Sequence, residues 1–141
     1  MQTPISPANE PKHVHEVFVP VRVRYPECDP QGVAHHASYV IWLEIARTEL
    51  LRAAGHAYKD LEARGVYMVV ARLNVKYRMA ARYDDELTIH CIAEPTHGGK
   101  LVHQYRVLRG GQLLVEADTT LVCVDADGRM QKMPPEVLPS D

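Results

Sequence analysis

One carboxylate in this 141-residue chain stands where it could act on a carbonyl group: Asp29, within Tyr25-Pro26-Glu27-Cys28-Asp29-Pro30-Gln31-Gly32. Pro30 disfavours helical backbone at Asp29 and Gly32 permits a tight reversal, so Asp29 falls on a turn. The apolar run that begins near Ser38 reads as a long helix, whose first amides have no intrahelical partner and carry partial positive charge. A carboxylate beside such amides is equipped to attack a polarised carbonyl, because fixed N–H donors stabilise the negative charge that develops on oxygen. The same amides help keep Asp29 ionised. The ordinary alternative is a turn aspartate that caps a helix. Cys28 has no local base-plus-orienter pattern around it and reads as a small apolar residue rather than a nucleophile.

The elements that must position Asp29 are legible on both sides of it. Val17, Val19, Val21, Val23 and Tyr25 share one parity, the pattern of a half-buried strand, and Pro20 within it points to a sheet edge or a local interruption. From Ser38 to about Ala54, Tyr39, Leu43, Ala46, Leu50 and Ala54 recur at helical spacing. Val40, Ile41, Trp42 and Ile45 widen that face, which predicts a mostly buried helix stopped at Gly55. A second short helical turn is expected over 58–64. Leu73, Val75 and Tyr77 then open a run of four strands, the second carried by Leu87, Ile89, Cys91 and Ala93. Gly110-Gly111 marks a hairpin between Leu101, His103, Tyr105, Val107 and Leu113, Val115, Ala117, Thr119, Leu121, Cys123. Val66 to Val70 suit a pocket wall after the helix. One helix against an antiparallel sheet is an α+β arrangement, compatible with several folds.

The composition, 46% apolar and 24% charged with a net charge of −2, suits a globular chain with one core and argues against a nucleic-acid partner. No apolar run approaches the ~20 residues of a membrane-spanning helix. The first sixteen residues, with Pro4, Pro7 and Pro11, read as a loose arm rather than a signal peptide, and residues 17–141 as one domain. A cytoplasmic location is the expectation. Cys28, Cys91 and Cys123 fit neither a disulfide framework nor a zinc site. His13 and His15 lie in or beside the arm, and adjacent His35 and His36 cannot easily aim at one ion, so no metal is expected.

Asp29-Pro30-Gln31-Gly32-Val33-Ala34-His35-His36-Ala37-Ser38-Tyr39, with Trp42-Leu43-Glu44-Ile45-Ala46-Arg47 after it, resembles the signature of the hotdog-fold acyl-CoA thioesterases of the 4-hydroxybenzoyl-CoA thioesterase type. Residues 77–87 and Gly128 to Pro134 resemble the later strand and tail of that family, so the similarity spans roughly residues 17 to 138. It implies a hotdog fold, an antiparallel sheet wrapped around one long central helix, and cleavage of an acyl-CoA to free acid and CoA without a cofactor. By the same resemblance Asp29 is the essential carboxylate, as nucleophile or as base for water. The amide at position 36 faces the substrate carbonyl, and the His36 side chain contributes in one subgroup. Tyr25 matches a functional tyrosine of the subgroup linked to the Tol-Pal gene cluster, although it also continues its strand's buried parity. Gly32, Tyr39 and Lys100 complete the expected set as substrate-binding residues, Lys100 because it follows His97-Gly98-Gly99 where the family has a basic turn facing the nucleotide. Arg72, Lys76, Arg78, Arg129 and Lys132 are further basic residues that could meet CoA phosphates. The acyl group stays open, since Cys28 and His35 depart from one subgroup toward the other. A homodimer or homotetramer is implied, which would also cover an exposed sheet edge. Two rivals remain: a non-catalytic hotdog module that binds acyl-CoA or an acyl-carrier protein, and a hotdog dehydratase, whose His-with-acid signature is not evident.

Overall fold

The computed structural model describes residues 15–95 and 99–138. The order is β1 (Glu16–Arg22), a 3-10 turn (Tyr25–Glu27), α1 (His36–Ala53), α2 (Tyr58–Ala63), β2 (Tyr67–Tyr77), β3 (Glu86–Ala93), β4 (Lys100–Arg109), β5 (Gln112–Val124), β6 (Met130–Gln131) and a closing 3-10 turn (Pro135–Val137). The expected arm lies almost wholly outside the described residues, as do His13, His97 and Gly98. Glu16, assigned to that arm, instead pairs with Ile92 as the first residue of β1.

All strand pairings are antiparallel, in the order β1-β3-β4-β5-β2, with β6 alongside β5. β1 is an edge, as Pro20 indicated, and β2 is the other. The period-2 expectation holds along β3 and β4, where Leu87, Ile89, Cys91, Ala93, Leu101, His103, Tyr105 and Val107 all turn inward. In β5 it needs one correction. The register shifts between Val107 and Leu108, so Leu114 takes the interior place and Leu113 is left half-buried. An extra residue in one strand reverses the inside-out sense of those beyond it. Of residues 66–70, Tyr67 to Val70 begin the 11-residue β2, and Val70 lines a cleft.

α1 lies across the inner face, with Trp42, Leu43, Ala46 and Leu50 buried against β1, β3 and β5 residues. Trp42 has no exposed surface, and burial of so large a side chain stabilises by roughly 1.5–3 kcal/mol or more. The helix is less enclosed than its apolar residues suggested. Ile41 is 52% exposed and Ile45 also faces out, and β2 exposes Val69, Val70, Leu73 and Tyr77. Ile41 and Ile45 add to the apolar count but fall off the stripe that meets the sheet. Gly55, with φ +95°, ends the helix as expected. No described helix is long and apolar enough to cross a membrane.

Candidate active site

β1 leads to buried Val23, after which Tyr25-Pro26-Glu27 make a single 3-10 turn closed by Glu27 N–H to Arg24 O at 3.0 Å and Cys28 N–H to Tyr25 O at 3.1 Å. The turn carries Glu27 inward. Its carboxylate accepts the Arg24 amide at 2.7 Å and the Trp42 indole N–H at 2.8 Å. Its carbonyl accepts the His35 amide at 2.7 Å and the Ser38 hydroxyl at 2.8 Å. Three of these four hydrogen bonds, those from Trp42, His35 and Ser38, clamp the loop to α1 and its N-cap. Burial alone would raise the Glu27 pKa, but the Arg24 amide, the Trp42 indole and the Arg24 guanidinium override it and hold the carboxyl below its ordinary value.

Residues 28–34 form a narrow loop. Cys28 pairs with Ala34, Asp29 N–H reaches Val33 O at 2.9 Å, and Gly32 N–H returns to Asp29 O at 2.9 Å. Gly32 has φ +81°, the left-handed conformation that glycine adopts without a Cβ penalty. Gln31 N–H donates to Asp29 Oδ1 at 2.8 Å, fixing the carboxylate in an Asx turn. Oδ2 makes no hydrogen bond among the described residues. The loop is docked on residues 81–83 by Ala34 N–H to Ala81 O at 2.8 Å and Tyr83 N–H to Gly32 O at 3.2 Å.

α1 starts at His36, two residues before its apolar periodicity begins. His35 is the N-cap: its Nδ1 accepts the Ala37 amide at 3.2 Å and its carbonyl accepts the Ser38 amide at 2.9 Å. Of the first three helical amides, only that of His36 is left without a partner among the described residues. Asp29 and His36 line one cavity of about 360 Å³, with Ala34, His35, Tyr39, Tyr77, Arg78, Met79 and Ala80. Tyr77 OH donates to His36 O at 2.9 Å, and Tyr39 OH accepts the Ala81 amide at 2.9 Å. The far wall is fixed by the β5 bulge, since Leu114 O accepts both the Arg78 and Met79 amides.

Of the expected residues, Asp29, His36 and Tyr39 meet at this cavity, whereas Tyr25, Gly32 and Lys100 are not among its lining. Gly32 shapes the turn. Lys100 opens β4. Tyr25 does not continue the buried parity of β1: the chain leaves the strand at Val23, and Tyr25 is 75% exposed with its ring 4.6 Å from that of Tyr83. Burial, and after it the carboxylates of Glu27, Asp29 and Asp85, push the Cys28 thiol up, away from the thiolate that a nucleophile requires. Among the described residues no group of His, Cys, Asp or Glu is placed to hold a metal ion. Sequence reasoning missed Glu27 and Tyr77. For Glu27 a signal existed, because a buried indole N–H and a buried Ser38 hydroxyl both need acceptors.

The family model of the Thioesterase-like superfamily matches residues 23–140. The acyl-CoA thioester hydrolase YbgC of Escherichia coli O157:H7 is 41% identical over 121 residues, covering 85% of this chain and 87% of the relative. The DHNA-CoA thioesterase of Staphylococcus aureus superposes with a TM-score of 0.80 at 27% identity, over 83% of this chain and 80% of that structure. A 4-hydroxybenzoyl CoA thioesterase, at 24% identity and TM-score 0.78 over 87% of this chain and 96% of its own, shares the fold. With a sheet laid along one long helix, a family model spanning most of the chain and relatives matched nearly end to end, this chain belongs to the thioesterase-like superfamily and is a hotdog-fold thioester hydrolase.

Proposed function

We propose that the chain hydrolyses an acyl-CoA at Asp29, with the His36 amide polarising the thioester carbonyl. The observation that carries this reading is that one cavity is lined both by Asp29, whose Oδ2 is open, and by His36, whose amide is the one of the first three in α1 without a partner, each among the described residues. In the water route, Asp29 takes a proton from water as its oxygen attacks the carbonyl carbon. The oxyanion is held by the His36 N–H, and collapse breaks the C–S bond to release CoA thiolate and the acid. In the nucleophile route, Asp29 itself forms a mixed anhydride that water then opens. Tyr25, beside the loop, is retained as a candidate to act from outside the cavity lining, and Lys100 as a phosphate contact.

The working form is an oligomer. A lone protomer leaves Ile41, Ile45, Val69, Val70, Leu73 and Tyr77 exposed along α1 and the open edge of β2, and a second copy paired edge to edge covers them. A cytoplasmic setting agrees with three unpaired thiols and an acyl-CoA substrate.

Asp29→Asn removes the charge at constant volume and is expected to lower hydrolysis, read as free thiol released from a panel of acyl-CoAs, by several orders of magnitude. Retention of activity within about tenfold, only ~1.4 kcal/mol of barrier, overturns the role. His36→Pro is the sharper partner. Proline is tolerated at the first helical position and His35 already has the extended backbone that must precede it, so the fold survives while the N–H is lost. A fall of roughly 10²–10³ in kcat is expected, against a modest one for His36→Ala, and equal near-wild-type rates remove position 36 from the mechanism. Turnover in labelled water separates the routes, since label recovered in the Asp29 carboxylate after repeated turnover requires the anhydride.

A further inference from the structure

A second cleft lies farther along the same two elements as the active-site cavity, beyond the packed rings of Tyr39 and Tyr77. Along α1, His36 and Tyr39 give way to Val40, Leu43, Glu44 and Arg47; along β2, Tyr77 gives way to Leu73 and Val70. These residues recur three or four apart on the helix, and on β2 the register shift between Val70 and Arg72 brings Val70 to the same side as Leu73 and Tyr77, so they follow the same α1/β2 seam. With Thr119 they line a second, mostly apolar cleft of about 110 Å³.

Arg47 is the unexplained feature of that cleft. It is 7% exposed, yet no carboxylate among the described residues lies within ion-pair distance of it. Its partners are neutral: Nε donates to Tyr58 OH and Nη1 to Tyr105 OH, each at 3.3 Å, longer than the usual 2.9–3.0 Å for such bonds. Nη2 makes no hydrogen bond among the described residues. Glu44 shares the lining but is exposed and forms no ion pair with Arg47. Buried charges are ordinarily paired, and a guanidinium with an idle donor presents the fork that a carboxylate fits.

We infer that this cleft receives the distal end of the acyl group and that Arg47 selects acyl chains ending in a carboxylate, so that ω-carboxyacyl-CoA thioesters are the preferred substrates. Roughly 16 Å of helix axis separates His36 from Arg47. The Arg47 side chain leans back toward the helix start, so an acyl chain of about ten carbons spans the interval. The apolar walls accept its methylenes, and the guanidinium closes the far end.

The inference rests on the acyl-CoA reading above, and the test separates the two. Sebacoyl-CoA and decanoyl-CoA have the same chain length and differ in the terminal group, carboxylate against methyl. Wild-type protein is expected to hydrolyse sebacoyl-CoA with at least tenfold higher kcat/KM, and Arg47→Met, which keeps the bulk without the charge, to lose or invert that ratio. Equal rates, or preference for decanoyl-CoA, overturn the inference while leaving thioester hydrolysis intact. Release of thiol from neither compound, nor from shorter or aromatic acyl-CoAs, counts against the hydrolysis reading. Calorimetric binding of the same pair to wild type then decides the inference alone, a tenfold tighter sebacoyl-CoA supporting it and equal affinity overturning it. Should Arg47→Met fail to fold, the wild-type comparison still decides.

Discussion

Glu27 and Arg47 are equally buried, each 7% exposed, the first packed against the start of α1 and the second carried by it. Their surroundings differ. Glu27 accepts two hydrogen bonds of 2.7–2.8 Å on its carboxylate with the Arg24 guanidinium 3.4 Å away. Arg47 has two long bonds to tyrosine hydroxyls and no carboxylate within ion-pair distance among the described residues. A buried charge with short bonds on all sides is a structural joint, and here it fixes the loop that carries Asp29. A buried charge with loose partners and a cleft beside it has capacity to spare. The comparison separates two uses of a buried ion that burial alone would not distinguish.

The hardest blow to this contrast is Glu27→Ala. It strands the Trp42 indole and the Arg24 amide, and a loss of about 3 kcal/mol in urea unfolding is expected, with Glu27→Gln costing about 1 kcal/mol because one oxygen can still accept. Activity of the Gln variant should fall mainly in kcat, since the displaced group is the Asp29 loop. A cost under about 1 kcal/mol for the Ala variant would show that the joint is dispensable.

Acid should reveal the same asymmetry from the other direction. The Glu27 carboxyl is depressed when folded, so its contribution is complete above its ordinary value of 4.5 and disappears as pH falls through the folded value. His103, close to Arg47, is pushed down from 6.5 to about 3, by burial first and by the Arg47 charge second. The unfolded chain then takes up a proton that the folded chain refuses. Stability is unaffected above pH 6.5 and falls with a slope of up to ~1.4 kcal/mol per pH unit on the way toward pH 3. His103→Leu should flatten the curve between pH 6.5 and 4.5 relative to wild type. An unchanged slope would mean that His103 is accessible to protons in the folded state.

The smallest effect is expected from Arg47→Met. Removal of a weakly partnered buried charge leaves Tyr105 OH bonded to Thr119 Oγ1 at 2.6 Å, so unfolding free energy should change by no more than about 1 kcal/mol. A loss as large as that of Glu27→Ala would make Arg47 a structural joint as well.

What the sequence disclosed follows from how local each signal is. Asp29 on a turn, Gly32 at the reversal and helix amides nearby are set by Pro30, a positive φ and a run of apolar spacing, all within a few residues. The β3–β5 faces were legible because alternation is a strict rule for a strand buried on one side. Tyr25 was misplaced because parity carries no mark for where a strand stops. Leu114 was missed because a bulge depends on the neighbouring strand. Tyr77 reaches the site only because the sheet brings β2 beside the helix start, 41 residues from its partner His36. The Arg47 cluster joins α1, α2, β4 and β5, and nothing short of the fold brings those together.

The two edges of the sheet are unlike each other. β1 carries Pro20 midway, which withholds one backbone donor, and Arg22 holds Asp84 and Glu86 in ion pairs at its end. β2 runs eleven residues with no proline. In the language of polymer growth the protomer is a monofunctional unit: one end is terminated and one is reactive. In the edge-to-edge pair proposed above, both β2 edges would be consumed and only the two β1 edges, each carrying Pro20, would be left, so further extension of the sheet is disfavoured by the same proline that marks β1 as an edge.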